Sequence, residues 1–379
     1  MKLRLLFKRV LLLTFLALSA NPARSYAHKI GAFDVNLSGA LRESFDDNIT
    51  FTKENKKQDF ITSARVGVEA VYEGKTRGLK LSGSILQNTF LDYDNYNGLA
   101  QDFTLDFVNE LSKRDRFILS DAFSRAEEPR SFDDAFGSTA GRYRIQKNEF
   151  SLGYAREINS QYGITASYGN AVNAYSREDL ADSYLNSLGL QFSYRESSEF
   201  SLSGRYDFTY RYFDPGSHAM TNSLGALARA YLTSRFYLDA NAGISLLSSY
   251  DKNKYLKPFL GIAVTDEFDE NTKGTVSFIK RYDTNAYSQD LFGYWRISCA
   301  LTRKLTRRLD TKCSLFFGDG EYRSSDVRDK LSGIDLGLNY DFKDNVRGGL
   351  TYGYSRTDST LSSREYAKNV VSASLTVKF

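Results

Sequence analysis

The sequence is poor in the residues from which most catalytic and metal centres are built. Among 379 residues there are two histidines, two cysteines and one tryptophan. His28 and His218 are too few for most metal or acid–base sites. No CxxC pair occurs, and no glycine-rich loop follows a strand to open a helix. His218 does lie beside Ser217, in an expected loop. Adjacent residues of an extended chain point apart, however, and no second signature accompanies them. Neither a catalytic centre, a metal nor a cofactor is expected, and the chain reads as a non-enzyme. Long apolar runs are also missing. Beyond residue 27 nothing approaches the roughly 20 apolar residues that a transmembrane helix requires. Proline is scarce, at four, and only Pro258 falls inside an expected strand, where it should mark a bulge or a rim.

An excess of one charge is absent too. Five of the fifty basic residues (Lys2, Arg4, Lys8, Arg9, Arg24) and none of the 46 acidic ones precede His28, leaving 45 basic against 46 acidic groups, a net charge of about −1. That balance gives no general attraction to nucleic acid or to anionic lipid.

What is present is alternation. In the last ten residues, VVSASLTVKF, Val371, Ala373, Leu375, Val377 and Phe379 share one side of an extended strand, and Ser372, Ser374, Thr376 and Lys378 share the other. One face suits lipid and the other water. At the opposite terminus a basic leader, the apolar run Val10 to Leu18 and the small-x-small Ser25-Tyr26-Ala27 have the layout of a secretory signal peptide with cleavage after Ala27. The expected organisation is a leader at 1–27 and one domain at 28–379.

Between these ends, alternating segments recur with short polar breaks. The clearest is Phe200 to Tyr212, with Phe200, Leu202, Tyr206, Phe208, Tyr210 and Tyr212 against Ser201, Ser203, Arg205, Asp207, Thr209 and Arg211. About eighteen such segments can be drawn, sixteen remaining compatible. The breaks alternate between roughly 3–6 and roughly 7–15 residues, as the short turns and longer loops of a transmembrane β-barrel do. Both termini then fall on the periplasmic side. Aromatic residues near segment ends (Phe33, Phe60, Tyr72, Phe90, Phe117, Tyr175, Tyr194, Tyr212, Phe236, Tyr250, Tyr340) fit interfacial girdles. The fold class is therefore all-β, a transmembrane antiparallel up-and-down β-barrel. A soluble β-sandwich would need its apolar faces to form a packed core, which so many similar strands fit poorly.

The early strand ending in Glu43-Ser44-Phe45-Asp46-Asp47-Asn48-Ile49, the Tyr-rich hairpins and the terminal Phe379 resemble the β-barrel porins of bacterial outer membranes, a group of which is found beside exopolysaccharide secretion systems. The resemblance implies an outer-membrane location, contact with lipid, and Phe379 as a signal for the barrel-assembly machinery. It also implies a passive pore for small hydrophilic solutes or, alternatively, an exit pore for an exported polysaccharide working with periplasmic and inner-membrane partners.

By parity, the inward positions include Arg42, Arg65, Lys80, Arg205, Arg211, Arg229, Arg281 and Arg296 against Glu69, Asp102, Asp106, Glu110, Asp207, Asp239 and Asp335. The signs nearly balance, which favours paired charges over a single-sign filter. The longest break, Glu127 to Arg142, is the third long one. If it folds inward as in many porins, Glu127, Glu128, Asp133 and Asp134 face basic wall residues; otherwise it is a solvated surface loop. Cys299 and Cys313 are expected opposite each other and outward if their turn centres on Thr306. A disulfide there is open to an exported protein, though directly paired strands strain it.

Overall fold

The computed structural model describes residues 28–127, 142–248, 253–284, 291–322 and 326–379. The proposed leader at 1–27 lies outside them. The strands are β1 (His28–Ile30), β2 (Phe33–Asp46), β3 (Asp59–Glu73), β4 (Arg77–Phe90), β5 (Gly98–Glu110), β6 (Asp115–Ala126), β7 (Ile145–Glu157), β8 (Tyr162–Tyr175), β9 (Asp182–Arg195), β10 (Phe200–Asp214), β11 (Ser217–Tyr231), β12 (Phe236–Ser248), β13 (Lys254–Asp269), β14 (Thr272–Thr284), β15 (Leu291–Lys304), β16 (Leu309–Tyr322), β17 (Arg328–Lys343), β18 (Val346–Ser359) and β19 (Tyr366–Lys378). Each pairs antiparallel with its neighbour in sequence, and β19 returns to β2 from Val370–Asp46 to Lys378–Ser38. Strands β2 to β19 thus form a closed ring of eighteen. The three-residue β1 pairs with β2 from His28–Val35 to Ile30–Phe33. It covers the part of that edge that β19 does not reach, and Gly31 turns the chain there with φ of 62°.

The ring closes because each strand carries two chemically distinct faces. Val66 lies between Gly39 and Ile85, and Leu350 between Leu338 and Ala373, all on the outer wall. Large apolar side chains such as Val66, Leu188, Leu224, Val276 and Leu350 remain exposed in every part of that wall, the reverse of a soluble protein. Hydroxyl pairs occupy the inner wall: Ser82 with Thr104, Ser223 with Ser245, Thr265 with Thr275 and Ser277 with Ser298, at 2.6 to 3.0 Å.

At one end of the ring all connections are tight, and five share one chemistry. Ser112, Asn159, Ser197, Thr233 and Thr306 each accept hydrogen bonds on the side-chain oxygen from the backbone N–H groups two and three residues ahead, at 2.9 to 3.2 Å. This local self-capping supplies the turn without glycine or proline. The opposite end carries connections from two residues, Pro215 and Gly216, to the eighteen between β6 and β7. Near that end the outer wall turns polar. Tyr206 donates to Asn222 at 2.7 Å, Tyr352 to Asn369 at 2.9 Å, and Arg328 and Arg356 pair with Asp319 and Asp358. The apolar band therefore stops short of the loop end.

Several expectations are corrected. The turn between β15 and β16 spans Leu305 to Arg308, so Cys299 pairs with Leu315 and Cys313 with Leu301. The two thiols are diagonal neighbours on the outer wall and both are free. His218 is in β11, not a loop, because the preceding turn needs only two residues; its ring lies 5.9 Å from that of Tyr210. Phe90 is buried beneath the Arg142 guanidinium, 4.7 Å from its ring, and Tyr175 packs on Tyr143. Both turn inward and leave the girdle. Tyr250 lies outside the described residues. Pro258 opposes Ile244 on the outer wall just beyond Leu260–Lys280, where the β13–β14 ladder ends, so no donor is missed there.

Introducing Val66→Arg at mid-strand on the outer wall should destabilise the barrel by about 2–4 kcal/mol. Thr351→Arg on the inner wall should cost under about 1 kcal/mol. Urea titration of the chain refolded into lipid vesicles checks the contrast, and equal costs would refute the wall assignment.

Candidate functional site: the barrel interior

Strand register places all the basic and acidic candidates of the wall on the inner face. On β2 to β5, Arg42 opposes Ser63, Arg65 opposes Ala40, Glu69 opposes Asn36, Lys80 opposes Asp106, and Asp102 opposes Ser84. Glu110 faces Arg116 on β6. Across the ring, Asp335 opposes Ser314 and Gly353, and Arg296 opposes Ile279 and Gly318.

Six of these charges are neutralised in three pairs of near neighbours. Lys80 pairs with Glu69 at 2.7 Å, Arg205 with Asp207 two residues along the same strand at 2.7 Å, and Arg229 with the directly opposite Asp239 at 2.6 Å. Alternation makes i and i+2 neighbours on one face, and antiparallel register does the same for cross-strand partners. The arginines nearer the loop end find uncharged acceptors. Arg211 on β10 donates from Nη1 to the Thr284 carbonyl of β14 at 2.8 Å, although three strands lie between them in the ring. Arg281 donates to the Tyr294 hydroxyl.

Residues that parity alone does not identify pack the interior at the loop end. Phe292, Tyr294, Tyr322 and Leu331 form a buried cluster. Beside it Arg364, from the turn Ser362–Arg364, is buried against Asp329, with the guanidinium 2.6 Å from the carboxylate and also bonded to the Tyr322 hydroxyl. Tyr322 itself donates to Asp329 at 2.9 Å. The β2–β3 connection is fastened from both sides. Lys368 pairs with buried Asp46 at 2.8 Å and sits 3.9 Å over the Phe51 ring. Asn48 donates to the Thr52 and Ala367 carbonyls at 2.7 and 3.0 Å. Lys53 pairs with Glu365, whose carboxylate holds the ammonium above its usual value. Asp59, buried at the start of β3, accepts the backbone N–H groups of Phe60, Asp92 and Tyr93 at 2.7 to 3.1 Å.

Of the expected constriction residues, Glu127 accepts a bond from Arg144 Nε at 3.2 Å across the base of its loop. Glu128, Asp133 and Asp134 lie outside the described residues. Phe379 ends the chain exposed on the outer wall, its N–H donating to the Leu37 carbonyl at 2.9 Å and its ring 3.8 Å from where a Cβ on Gly39 would stand. A cavity of about 730 Å3 opens along β19, β2, β3 and β4, and Arg42, Arg65, Ser63, Asn88, Ser374 and Thr376 are among its lining residues.

A closed ring of eighteen antiparallel strands, apolar outside and polar inside, has the fold of a transmembrane β-barrel. Residues 292–379, the strands β15 to β19, match the family model described as "Putative beta-barrel porin 2". Among solved structures, Pseudomonas aeruginosa OccK2 (OpdF) in complex with glucuronate is 12% identical, with a TM-score of 0.51 over 91% of this chain and 98% of that one. The same protein in a second crystal structure gives 11%, 0.50, 91% and 98%. The outer membrane protein OpdK of Pseudomonas aeruginosa gives 9%, 0.49, 91% and 99%. No curated protein matches the chain in sequence.

Truncating Arg364 to alanine leaves Asp329 buried without its cation, which should cost about 3–5 kcal/mol. The cost should fall to near zero when Asp329 is also replaced by asparagine, as read by urea midpoints of the single and double variants.

Proposed function

We propose that residues 28–379 form a passive channel for small hydrophilic solutes, held in the outer membrane by its apolar outer wall. The observation that carries this reading is the composition of the inner wall: hydroxyl pairs and locally neutralised charges suit water-filled space, whereas a closed plug would need apolar packing throughout. The tight self-capped turns face the periplasm with both termini, and the longer connections face outward. The leader at 1–27 exports the chain, and the exposed ring of Phe379 addresses it to the barrel-assembly machinery.

The pore-lining set is Arg42, Arg65, Glu69, Asp102, Asp106, Arg205, Asp207, Arg211, Arg229, Asp239, Arg281, Arg296 and Asp335, with Glu127, Glu128, Asp133 and Asp134 supplying a constriction. The chain is read as a channel and not an enzyme, since His218 is placed on the outer wall away from this polar surface. No observation favours a polysaccharide exit with its periplasmic partners over the solute channel.

In planar bilayers the refolded chain 28–379 should give stable ohmic steps, and Asp133→Asn with Asp134→Asn should change conductance or ion preference. Silence from a chain shown to be folded and inserted removes the channel reading; steps insensitive to the two substitutions remove the constriction.

A further inference from the structure

Two arginines of the inner wall stand side by side without a carboxylate partner. Arg205, Arg229 and Arg347 each have a carboxylate within 2.7 Å. Among the described residues no carboxylate pairs with Arg42 or Arg65. These two are diagonal neighbours on β2 and β3, since Arg42 opposes Ser63 while Arg65 opposes Ala40. Diagonal positions on one face lie roughly 7 Å apart, within reach of two long side chains. Both are accessible to solvent, and both line the 730 Å3 cavity.

Their surroundings offer no compensation from the wall. The inward neighbours of Arg42 across the ladders are Ser63 and Ser374; those of Arg65 are Ala40 and Leu86. The nearest inward acid on β2, Asp46, is already held by Lys368. Two like charges side by side repel, and the wall supplies neither guanidinium with a carboxylate. An oxyanion between them removes the repulsion and accepts two planar, multi-donor groups, the geometry for which guanidinium is suited. Hydroxyl and amide groups also line this cavity, together with Arg142, Lys368 and Lys378 and the acids Asp46 and Glu127, which are held by Lys368 and Arg144. Ser63 donates to Asn88 at 2.7 Å, and Ser374 and Thr376 continue the polar row on β19.

We infer that Arg42 and Arg65 form a binding station for a small polyhydroxylated solute carrying one oxyanion, its acid group on the two guanidiniums and its hydroxyls on the serine and threonine row of β19. The inference rests on the solute-channel reading for its role, while the site itself can be measured without any ion flow.

Calorimetric titration of the folded chain 28–379 in detergent with galactose, galacturonate and galactose 6-phosphate tests it. Galacturonate or the phosphate should bind about tenfold or more tightly than galactose, and Arg42→Gln with Arg65→Gln should abolish that difference. A preference for one acid identifies carboxylate or phosphate as the natural group. Arg42→Lys with Arg65→Lys keeps the charge and should retain part of the preference, which separates loss of the site from loss of fold. The outward pair variant Arg356→Gln with Asp358→Asn is the matched control. Equal binding of the acids and galactose, or a preference untouched by the glutamine variants, overturns the inference. Bilayer recordings of the same chain then act separately: acid binding without conductance supports the site and sinks the channel, whereas conductance without acid preference does the reverse.

Discussion

The structure depends on one requirement: in hydrocarbon no backbone N–H or C=O can be left for water to satisfy. A strand has half its hydrogen bonds on each edge, so a sheet in lipid must close on itself. The nine ladder positions between β19 and β2 perform that closure. They are also why the carboxy-terminal strand has the cleanest two-faced pattern near the end of the chain. Its partner edge is fixed only if Leu375 meets Leu41 and Val377 meets Gly39 on the outside, and a slip of one residue would turn Ser374 and Lys378 into lipid. The short β1 then covers the length of β2 that β19 does not reach.

Closure imposes the second property, a wet interior wall. Every residue alternating with a lipid-facing one points at its counterparts across the lumen, and a wall of hydroxyls and charges must be stabilised by something other than burial. The solution here is local pairing, within a strand for Arg205 and Asp207 and across one ladder for Arg229 and Asp239. Such solvent-accessible pairs contribute about 0.2–1 kcal/mol each. Their larger effect is to leave the field in the lumen small, so that the positions without partners determine how a charged solute is treated.

The barrel and the inner wall were legible in the sequence because both follow from period two, which survives any error in strand ends. What alternation cannot supply is an absolute register or a contact between distant loops. A turn centre displaced by one residue moves Cys299 from Cys313 to Leu315. Phe90 and Tyr175 sit at strand ends, but their register opposite Ile61 and Ile145 puts both on the inner face, where Arg142 and Tyr143 from another connection cover them. The Arg364–Asp329–Tyr322 group joins two strands and a turn, and no sequence interval encodes it. The one local signal was the Ser, Thr or Asn that opens each tight turn, as at Ser112, Ser197, Thr233 and Thr306, legible as turn chemistry though not as a repeated device.

The two ends of the barrel differ for the same physical reason that the walls do. At the turn end five connections satisfy two of their own backbone N–H groups with one side chain each, and all are short enough to leave the lumen clear of long segments. At the loop end the longer connections also borrow partners from other segments: Asn48 from Ala367, Asp59 from Asp92 and Tyr93, Arg364 from Asp329. Borrowing draws those segments toward one another over the interior. Buried ion pairs fix these segments at the loop end, while the arginine pair on β2 and β3 lies farther down the wall, past those fastenings.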